Sequence, residues 1–245
     1  NTSYFYCSFG IRDDNNNSIL APIDKTMFDF EVNEIGMDRE YNINTRPLHY
    51  SNCINKFGNF SLSLPPQNQL GLDATYCVND DFLIKGHPGK PDSSYLEIKM
   101  KMCTGKPTCK NRTTIENYLK SVKIEFYYQN NVLNTSAQED IISKTIEQTY
   151  WDIVPTFTKI SNIEVAIDVL KSYDGYLQDF LWTRNFKTYA LNVRGVDNIL
   201  SDLDSEDTLL AIQVLSSSLS LMIERRYVDF ITQIAKVGGI CGILI

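Results

Sequence analysis

The clearest pattern in the sequence is the strict alternation of apolar and polar residues at 95–102, Y-L-E-I-K-M-K-M. Successive side chains of a strand point to opposite faces, so this segment predicts a strand with one apolar and one charged face. Apolar residues at every second position predict further strands around 122–128 and 165–169. Shorter apolar segments bounded by turn-forming residues add five more candidates, at 27–32, 60–64, 82–85, 188–193 and 209–215.

Two segments begin with the Ser/Thr-x-x-Glu pattern that is typical of a helix N-terminus. The pattern at 113–116 predicts a short helix near residues 115–121. The pattern at 136–139 predicts a longer helix through Thr149, with a buried stripe formed by Ile141, Ile142, Ile146 and Trp151. We therefore expect a mainly β or α+β fold, an antiparallel β-rich ectodomain with one or two short helices.

Composition narrows the class of protein. The chain has 245 residues, 43% of them hydrophobic, and 30 acidic against 23 basic side chains give a formal charge of −7. This apolar content excludes a disordered chain, and the length is sufficient for one large β-rich domain or two small ones. Because no basic stripe is left to neutralise phosphates, we expect no nucleic-acid partner. A soft boundary near residue 110 would separate two parts of the ectodomain, 1–110 and 111–226.

Five of the six cysteines lie before residue 110: Cys7, Cys53, Cys77, Cys103 and Cys109. Cys103 and Cys109 flank the turn-forming insert Thr-Gly-Lys-Pro-Thr, and we prefer a local disulfide to two free thiols. A zinc site would need four ligands at compact spacing, such as paired C-x-x-C units, and the sequence has none. The other three are an odd number, so one is free or has a partner outside the chain, and their connectivity cannot be read from the sequence.

Asn-x-Ser/Thr sequons occur at five positions, all before residue 137: Asn1, Asn16, Asn59, Asn111 and Asn134. Five is a mild excess over the roughly three expected by chance for this composition. Taken with the cysteines, their restriction to one part of the chain favours an oxidising, secretory-route compartment. N-glycans on these asparagines are the expected modification.

The chain ends in nine uncharged residues, Val237–Ile245. A membrane-spanning helix needs about 20 apolar residues, so these are at most half of one. We prefer the beginning of a truncated transmembrane helix at 227–245 to a terminal helix or strand docked on the core. The reason is the four-residue spacing of small residues, which lets membrane helices pack closely, at Ala235, Gly238, Gly239 and Gly242. A lipid bilayer would then be a partner at the C-terminus.

Little in the sequence points to catalysis. The two histidines, His49 and His87, belong to no hydrolase or metalloprotease motif, and no phosphate-binding loop or dinucleotide fingerprint is present. The carboxylates at 202–207 begin like a calcium loop but lack its glycine turn and terminal glutamate, so we interpret them as a solvated turn. We interpret the aromatic residues at 173–182 as core packing or a subunit contact rather than a sugar platform. We expect no enzyme, no cofactor and no metal.

Three segments carry a resemblance to a known group: I-E-F-Y-Y-Q-N-N-V-L-N at 124–134, T-Y-W-D-I-V-P-T-F-T-K at 149–159, and the ending E-R-R-Y-V-D-F-I-T-Q-I-A-K-V-G-G-I from residue 224. In this order and spacing, over about residues 55 to 245, the chain resembles two-span transmembrane proteins encoded by ciliates such as Tetrahymena and Paramecium. The resemblance implies a long extracytoplasmic domain held between two membrane helices, at the plasma or ciliary membrane. It implies no reaction, because these motifs are strand and juxtamembrane signatures.

The ending also resembles, more weakly, trimeric two-span sodium channels of the epithelial/acid-sensing type and two-span cargo receptors of the early secretory pathway. We expect a non-enzymatic, membrane-anchored cell-surface glycoprotein that acts in adhesion, in a surface coat or in extracellular assembly. Such a protein would form a homo-oligomer or bind a surface protein partner. The alternative is the extracellular domain of an oligomeric two-span ion channel or receptor, and a secreted enzyme is the least favoured.

Overall fold

A computed structural model describes residues 7–13, 19–53, 74–133, 142–173, 183–200, 207–226 and 234. The elements within these ranges are, in chain order, β1 (Cys7–Asp13), β2 (Ile19–Ala21), β3 (Phe28–Met37), β4 (Ile43–Pro47), β5 (Tyr50–Asn52), β6 (Tyr76–Val78), β7 (Ser93–Met102), α1 (Arg112–Leu119), β8 (Val122–Leu133), β9 (Ile142–Asp152), β10 (Phe157–Tyr173), β11 (Thr183–Leu200), β12 (Thr208–Ser216) and β13 (Met222–Arg226). The fold is mainly β with one short helix in the described residues, which confirms the predicted class.

The strands form two sheets. The first has the order β5-β6-β1-β8-β9, with β2 paired with β1 beside this path. The second has the order β11-β10-β12-β7-β3-β4, with β13 paired with β10. β7 pairs antiparallel with β12 and β3, whereas β10 pairs parallel with β12 and then with β13. The second sheet is therefore mixed.

The core follows the alternation of the sequence. The buried residues of β7 include the four that the pattern predicts, Leu96, Ile98, Met100 and Met102. The apolar face of β8 is buried in the same way, at Val122, Ile124, Phe126 and Tyr128. Phe9 of β1 and Phe30 of β3 stack with 5.2 Å between ring centroids, so the two sheets meet through apolar side chains. Burial of a side chain of this size stabilises the fold by about 1.5–3 kcal/mol.

Helix α1 confirms the short helix predicted near residues 115–121, although its N-cap is not the predicted one. The N-cap is Asn111 rather than Thr113, and its Oδ1 accepts a hydrogen bond from the backbone N–H of Thr114 at 2.8 Å. Ile115 and Leu119, four residues apart, are buried, so one side of the helix faces the core.

The second predicted helix is wrong, because residues 142–152 form strand β9 at the end of the first sheet. The expected cap at 136–139 lies outside the described residues. Glu147 of β9 accepts hydrogen bonds from Tyr128 and Asn130 of β8, at 3.1 and 2.8 Å. Pairing with a neighbouring strand thus overrides a local helix signal.

Two of the shorter predicted strands are not among the strands of the described residues. The segment at 82–85 is reduced to an isolated bridge between Lys85 and Ser94. The segment at 60–64 lies outside the described residues. The other predicted strands fall within β3, β7, β8, β10, β11 and β12.

The chain divides into two compact units. The first comprises Asn1–Asn130, Lys144–Val165 and Leu191–Ser218, and the second comprises Asn131–Ser143, Ala166–Ala190 and Leu219–Ile245. Residue 110, the soft boundary expected from the sequence, lies inside the first unit, where β1 pairs with β8 and β7 pairs with β12 across it.

In the part of the chain that the structure describes, no helix is long and apolar enough to cross a bilayer. The described residues include Ile234 but no other residue beyond Arg226. The predicted helix start at 227–245, with its packing residues Ala235, Gly238, Gly239 and Gly242, therefore lies almost wholly outside them.

Candidate functional site

Two disulfides lie among the described residues. Cys103 and Cys109 are joined with 5.5 Å between their Cα atoms, and this bond closes the loop between β7 and α1. Cys53 and Cys77 are joined with 5.1 Å between their Cα atoms, which ties the end of β5 to β6 and assigns a pairing that the sequence left open. Cys7 is buried on β1. Disulfides of this kind are typical of extracellular or secretory-type domains.

One of the five sequon asparagines, Asn111, lies within the described residues. It is exposed at the start of α1, where Oδ1 makes the capping hydrogen bond. Because N-glycans are joined to asparagine through Nδ2, the cap and a glycan at Asn111 would use different atoms of the same side chain. Asn1, Asn16, Asn59 and Asn134 lie outside the described residues.

The first sheet carries a buried carboxylate that the sequence did not mark as special. Glu125 of β8 is 1% exposed and forms an ion pair with Arg12 of β1. The hydroxyl of Tyr127 donates to the same carboxylate, and Nε2 of Gln148 donates to its Oε1 at 2.8 Å. Glu125 therefore has three donor groups around it, on strands β1, β8 and β9.

The register of β1 and β8 explains how this cluster is covered. Gly10 lies opposite Glu125, and a Cβ atom at Gly10 would meet Leu20 Cδ2 at 3.1 Å and Thr75 Cγ2 at 3.4 Å. These two side chains thus occupy the space above Gly10. Burial raises the pKa of the Tyr127 phenol, and the hydrogen bond to Glu125 raises it further, so the phenol stays protonated. The arrangement surrounds a buried carboxylate with a cation and two hydrogen-bond donors.

The residues considered for catalysis are spread over the surface. The ring of His49 is exposed, and its Nδ1 lies 2.9 Å from Oδ2 of Asp80. The Nδ1 of His87 lies 2.8 Å from the carbonyl oxygen of Pro88. Among the described residues no group of three or more His, Cys, Asp or Glu side chains could hold a metal ion. Of the acidic run at 202–207, Asp207 is described, and its carboxylate accepts a hydrogen bond from Thr104 at 2.6 Å. The aromatic stretch lies outside the described residues from 174 to 182.

An exposed apolar surface lies at the β4 end of the second sheet, and we call it the β4 face. The register places Ile35 between Thr45 and Tyr95, and Met37 opposite Ile43. Directly paired residues of antiparallel strands share a face, so these five side chains lie on the same side of the sheet. Ile43 is 66% exposed, and Tyr41 in the preceding turn is 62% exposed. Alternation does not predict this face, because β4, I-N-T-R-P, offers Ile43 and no second aliphatic side chain to show a period of two.

The opposite side of the same strands is closed by polar contacts. Arg46 of β4 forms an ion pair with Glu34 of β3 and donates to the carbonyl of Asp81 at 2.6 Å. Glu34 also accepts hydrogen bonds from the hydroxyl of Ser94 at 2.9 Å and the N–H of Leu83 at 3.2 Å. The one charged residue of β4 is therefore neutralised within its own chain.

The second unit also has exposed apolar side chains on β10, in the turn before β13 and at the start of β13, and we call them the β13 patch: Ile167, Leu219, Leu221 and Met222. Val169 pairs with Met222, and the N–H of Leu221 donates to Oδ1 of Asp168 at 3.1 Å. Further along β13, the guanidinium of Arg226 lies 5.2 Å from the Tyr173 ring centroid. Charged and aromatic groups therefore follow the apolar ones towards the end of the strand.

The family model of the uncharacterised 80 kDa protein N-terminal domain matches residues 8–217. The chain belongs to this family. The match includes both disulfides and the β4 face, whereas β13 and the terminal apolar segment lie beyond it. No sequence among the curated proteins matches the chain significantly.

Among solved structures, the crystal structure of Erv41p is similar at 12% sequence identity, over 91% of this chain and 95% of that chain. The TM-score of this comparison is 0.31, so the two structures are distantly similar at most and the likeness supports no argument about function.

Proposed function

We propose that the chain is the extracytoplasmic part of a membrane-anchored cell-surface glycoprotein, which acts by association and not by catalysis. It serves in adhesion, in a surface coat or in extracellular assembly, at the plasma or ciliary membrane. The resemblance to two-span ciliate proteins and the terminal apolar segment support the membrane anchor. The two disulfides support the compartment.

The observation that carries the association is the β4 face. It combines the exposed Ile43 and the half-buried Ile35, Met37 and Tyr95 with a strand that is last in its sheet among the described residues, and all five residues of β4 are exposed. Exposed apolar surface beside an end strand is typical of surfaces that bind other proteins. By contrast, the best-buried ionisable cluster, around Glu125, is fully engaged in internal contacts.

The experiment is a surface-labelling assay on the full-length protein expressed in its own cells. An antibody against the exposed loop at 104–108 should label intact cells, and a membrane-impermeant biotin reagent should modify the protein without detergent. A peptide N-glycosidase should increase its mobility on a gel. Labelling that requires permeabilised cells, together with unchanged mobility, would contradict both the location and the glycoprotein class.

A further inference from the structure

We infer that β4 is a self-association edge, at which β4 of one chain pairs antiparallel with β4 of a second copy. This inference rests on the proposed function and names the partner of the β4 face. Among the described residues, β4 is the last strand of its sheet, and all five of its residues are exposed. Backbone groups on the side away from β3 are therefore available to another strand.

The edge lacks most of the features that keep sheet edges apart. Native proteins protect an edge with lysine, proline, bulges or a covering element. β4 contains no lysine, and its pairing with β3 is regular from Asn33↔Pro47 to Met37↔Ile43, without a bulge. Leu48 N–H donates to the carbonyl of Val32 and Asp38 N–H donates to that of Asn42, so by alternation the backbone groups of Asn44 and Arg46 face β3. The N–H groups of Ile43 and Thr45 point away from β3, and Pro47 removes the donor at the end of the strand.

Charge favours a second copy as the occupant. Arg46 is the one charged residue of β4, and Glu34 and the Asp81 carbonyl already satisfy it. Two copies can therefore approach edge to edge without facing like charges. A partner recognised through its charge would need an uncompensated charge on this strand, and β4 offers none.

Geometry makes the contact self-complementary. A two-fold axis perpendicular to the sheet places residues of the same face opposite one another. An axis at Asn44 sets Ile43 against Thr45 of the second copy, and an axis at Thr45 sets Ile43 against Pro47. In both registers the two β4 faces become one continuous apolar surface across the pair, while the Glu34–Arg46 side of each sheet stays on the opposite face.

The size of the edge sets the strength of the contact. Five residues of paired strand and one apolar face bury much less than the roughly 1,600 Å² of a standard interface, so the dimer is weak in solution. Attachment to one membrane supplies an effective concentration on the order of millimolar, which favours the pair at a cell surface. Self-association is therefore expected to depend steeply on concentration.

The test is sedimentation velocity of the whole chain, produced in a secretory expression host and kept in mild detergent, over a concentration series. The wild-type chain should pass from monomer to dimer as its concentration rises. Ile43→Lys and Thr45→Lys should remain monomeric, because each places like charges beside the two-fold axis, and both positions are exposed, so folding is preserved. The matched control is Met222→Lys, which changes an exposed apolar residue of the β13 patch and should dimerise like wild type.

A second variant locates the contact directly. Asn44→Cys lies at or next to the two-fold axis and should form a disulfide-linked dimer under mild oxidation, whereas Ser220→Cys, exposed beside the β13 patch, should not. A wild-type chain that stays monomeric at all concentrations overturns the inference, even if β4 serves a different protein. Dimerisation of Ile43→Lys with the affinity of wild type overturns it as well.

The two proposals fail separately. A monomeric chain that is disulfide-bonded and labelled on intact cells contradicts the β4 dimer and leaves the proposed function standing. A reduced, intracellular protein contradicts the proposed function whatever its oligomeric state.

Discussion

Glu125 is the residue whose replacement has the largest expected effect on stability. Glu125→Ala would leave Arg12 without its counter-ion and the Tyr127 hydroxyl without its acceptor. We expect a loss of about 3 kcal/mol in the free energy of unfolding, measured by urea denaturation. The control is Glu31→Ala, which breaks a more exposed cross-strand pair with Lys101 and should cost less than about 1 kcal/mol. Equal losses for the two variants would show that the Glu125 cluster is not a buried charge network.

The position of Glu125 also shows where sequence alone fails at this scale. Alternation along β8 correctly predicts the buried face, but it assigns Glu125 and Tyr127 to solvent, and both are buried. Leu20 and Thr75, which are distant from β8 in sequence, occupy the space above Gly10, the residue opposite Glu125. A local pattern reports which face is apolar, and it does not report what a remote segment places on the other face.

Asp24 gives the chain a predictable acid response. The hydroxyl of Thr26, the side chain of Lys110 and the backbone N–H of Thr26 hold the pKa of this carboxyl at about 2, below its ordinary 3.8. The pKa of Asp24 is lower in the folded chain than in the unfolded chain. Its ionised carboxylate therefore stabilises the fold fully above about pH 4, and this stabilisation is lost as the pH falls towards 2. In a thermal-unfolding series, the Tm of wild type should be higher than that of Asp24→Asn at pH 5, and the difference in Tm should shrink towards pH 2. A difference that is the same at both pH values would contradict this assignment.

At the scale of elements, the start of helix α1 joins a cap and a sequon in one side chain. Asn111→Asp and Thr113→Ala should each remove a glycan while retaining the capping acceptor. Asn111→Ala should remove both and be less stable than Asn111→Asp by about 1 kcal/mol. Gel mobility reports the glycan and urea denaturation reports the cap. If all three variants keep the mobility of wild type, Asn111 is not glycosylated, and the capping comparison still stands.

The two disulfides close loops of different length, with sequence separations of 24 for Cys53–Cys77 and 6 for Cys103–Cys109. Loop-closure entropy therefore predicts that removal of the first costs about 3.5 kcal/mol and removal of the second about 2.2 kcal/mol. Double Cys→Ala variants of each pair, compared by urea denaturation, test the order. A larger loss for the short loop would mean that contacts at Cys103 and Cys109, rather than chain entropy, dominate.

Elements differ in how well the sequence predicts them. Strand β7 was predictable because its alternation is strict over eight residues, 95–102, and because it lies between β12 and β3. Strand β9 was not, because its apolar residues also fit a helix and its strand partner is supplied by β8. The Cys103–Cys109 disulfide could be predicted because the two cysteines flank one short loop. The Cys53–Cys77 disulfide could not, because it depends on which strands become neighbours.

At the scale of the whole molecule, two disulfides and a β-rich fold describe a secretory-type domain. The family match over residues 8–217 coincides with most of this domain and ends shortly after β12. The proposed membrane anchor follows the matched part. Its support is in the sequence, where the last nine residues carry no charge.

We propose above all that this chain is exposed to an oxidising, glycosylating compartment. The decisive experiment is mass spectrometry of a non-reduced digest of the protein from its own cells. We expect a linked peptide pair at Cys53 and Cys77, a linked Cys103 and Cys109, and an N-glycan on Asn111. Free thiols at all four cysteines together with an unmodified Asn111 would contradict it.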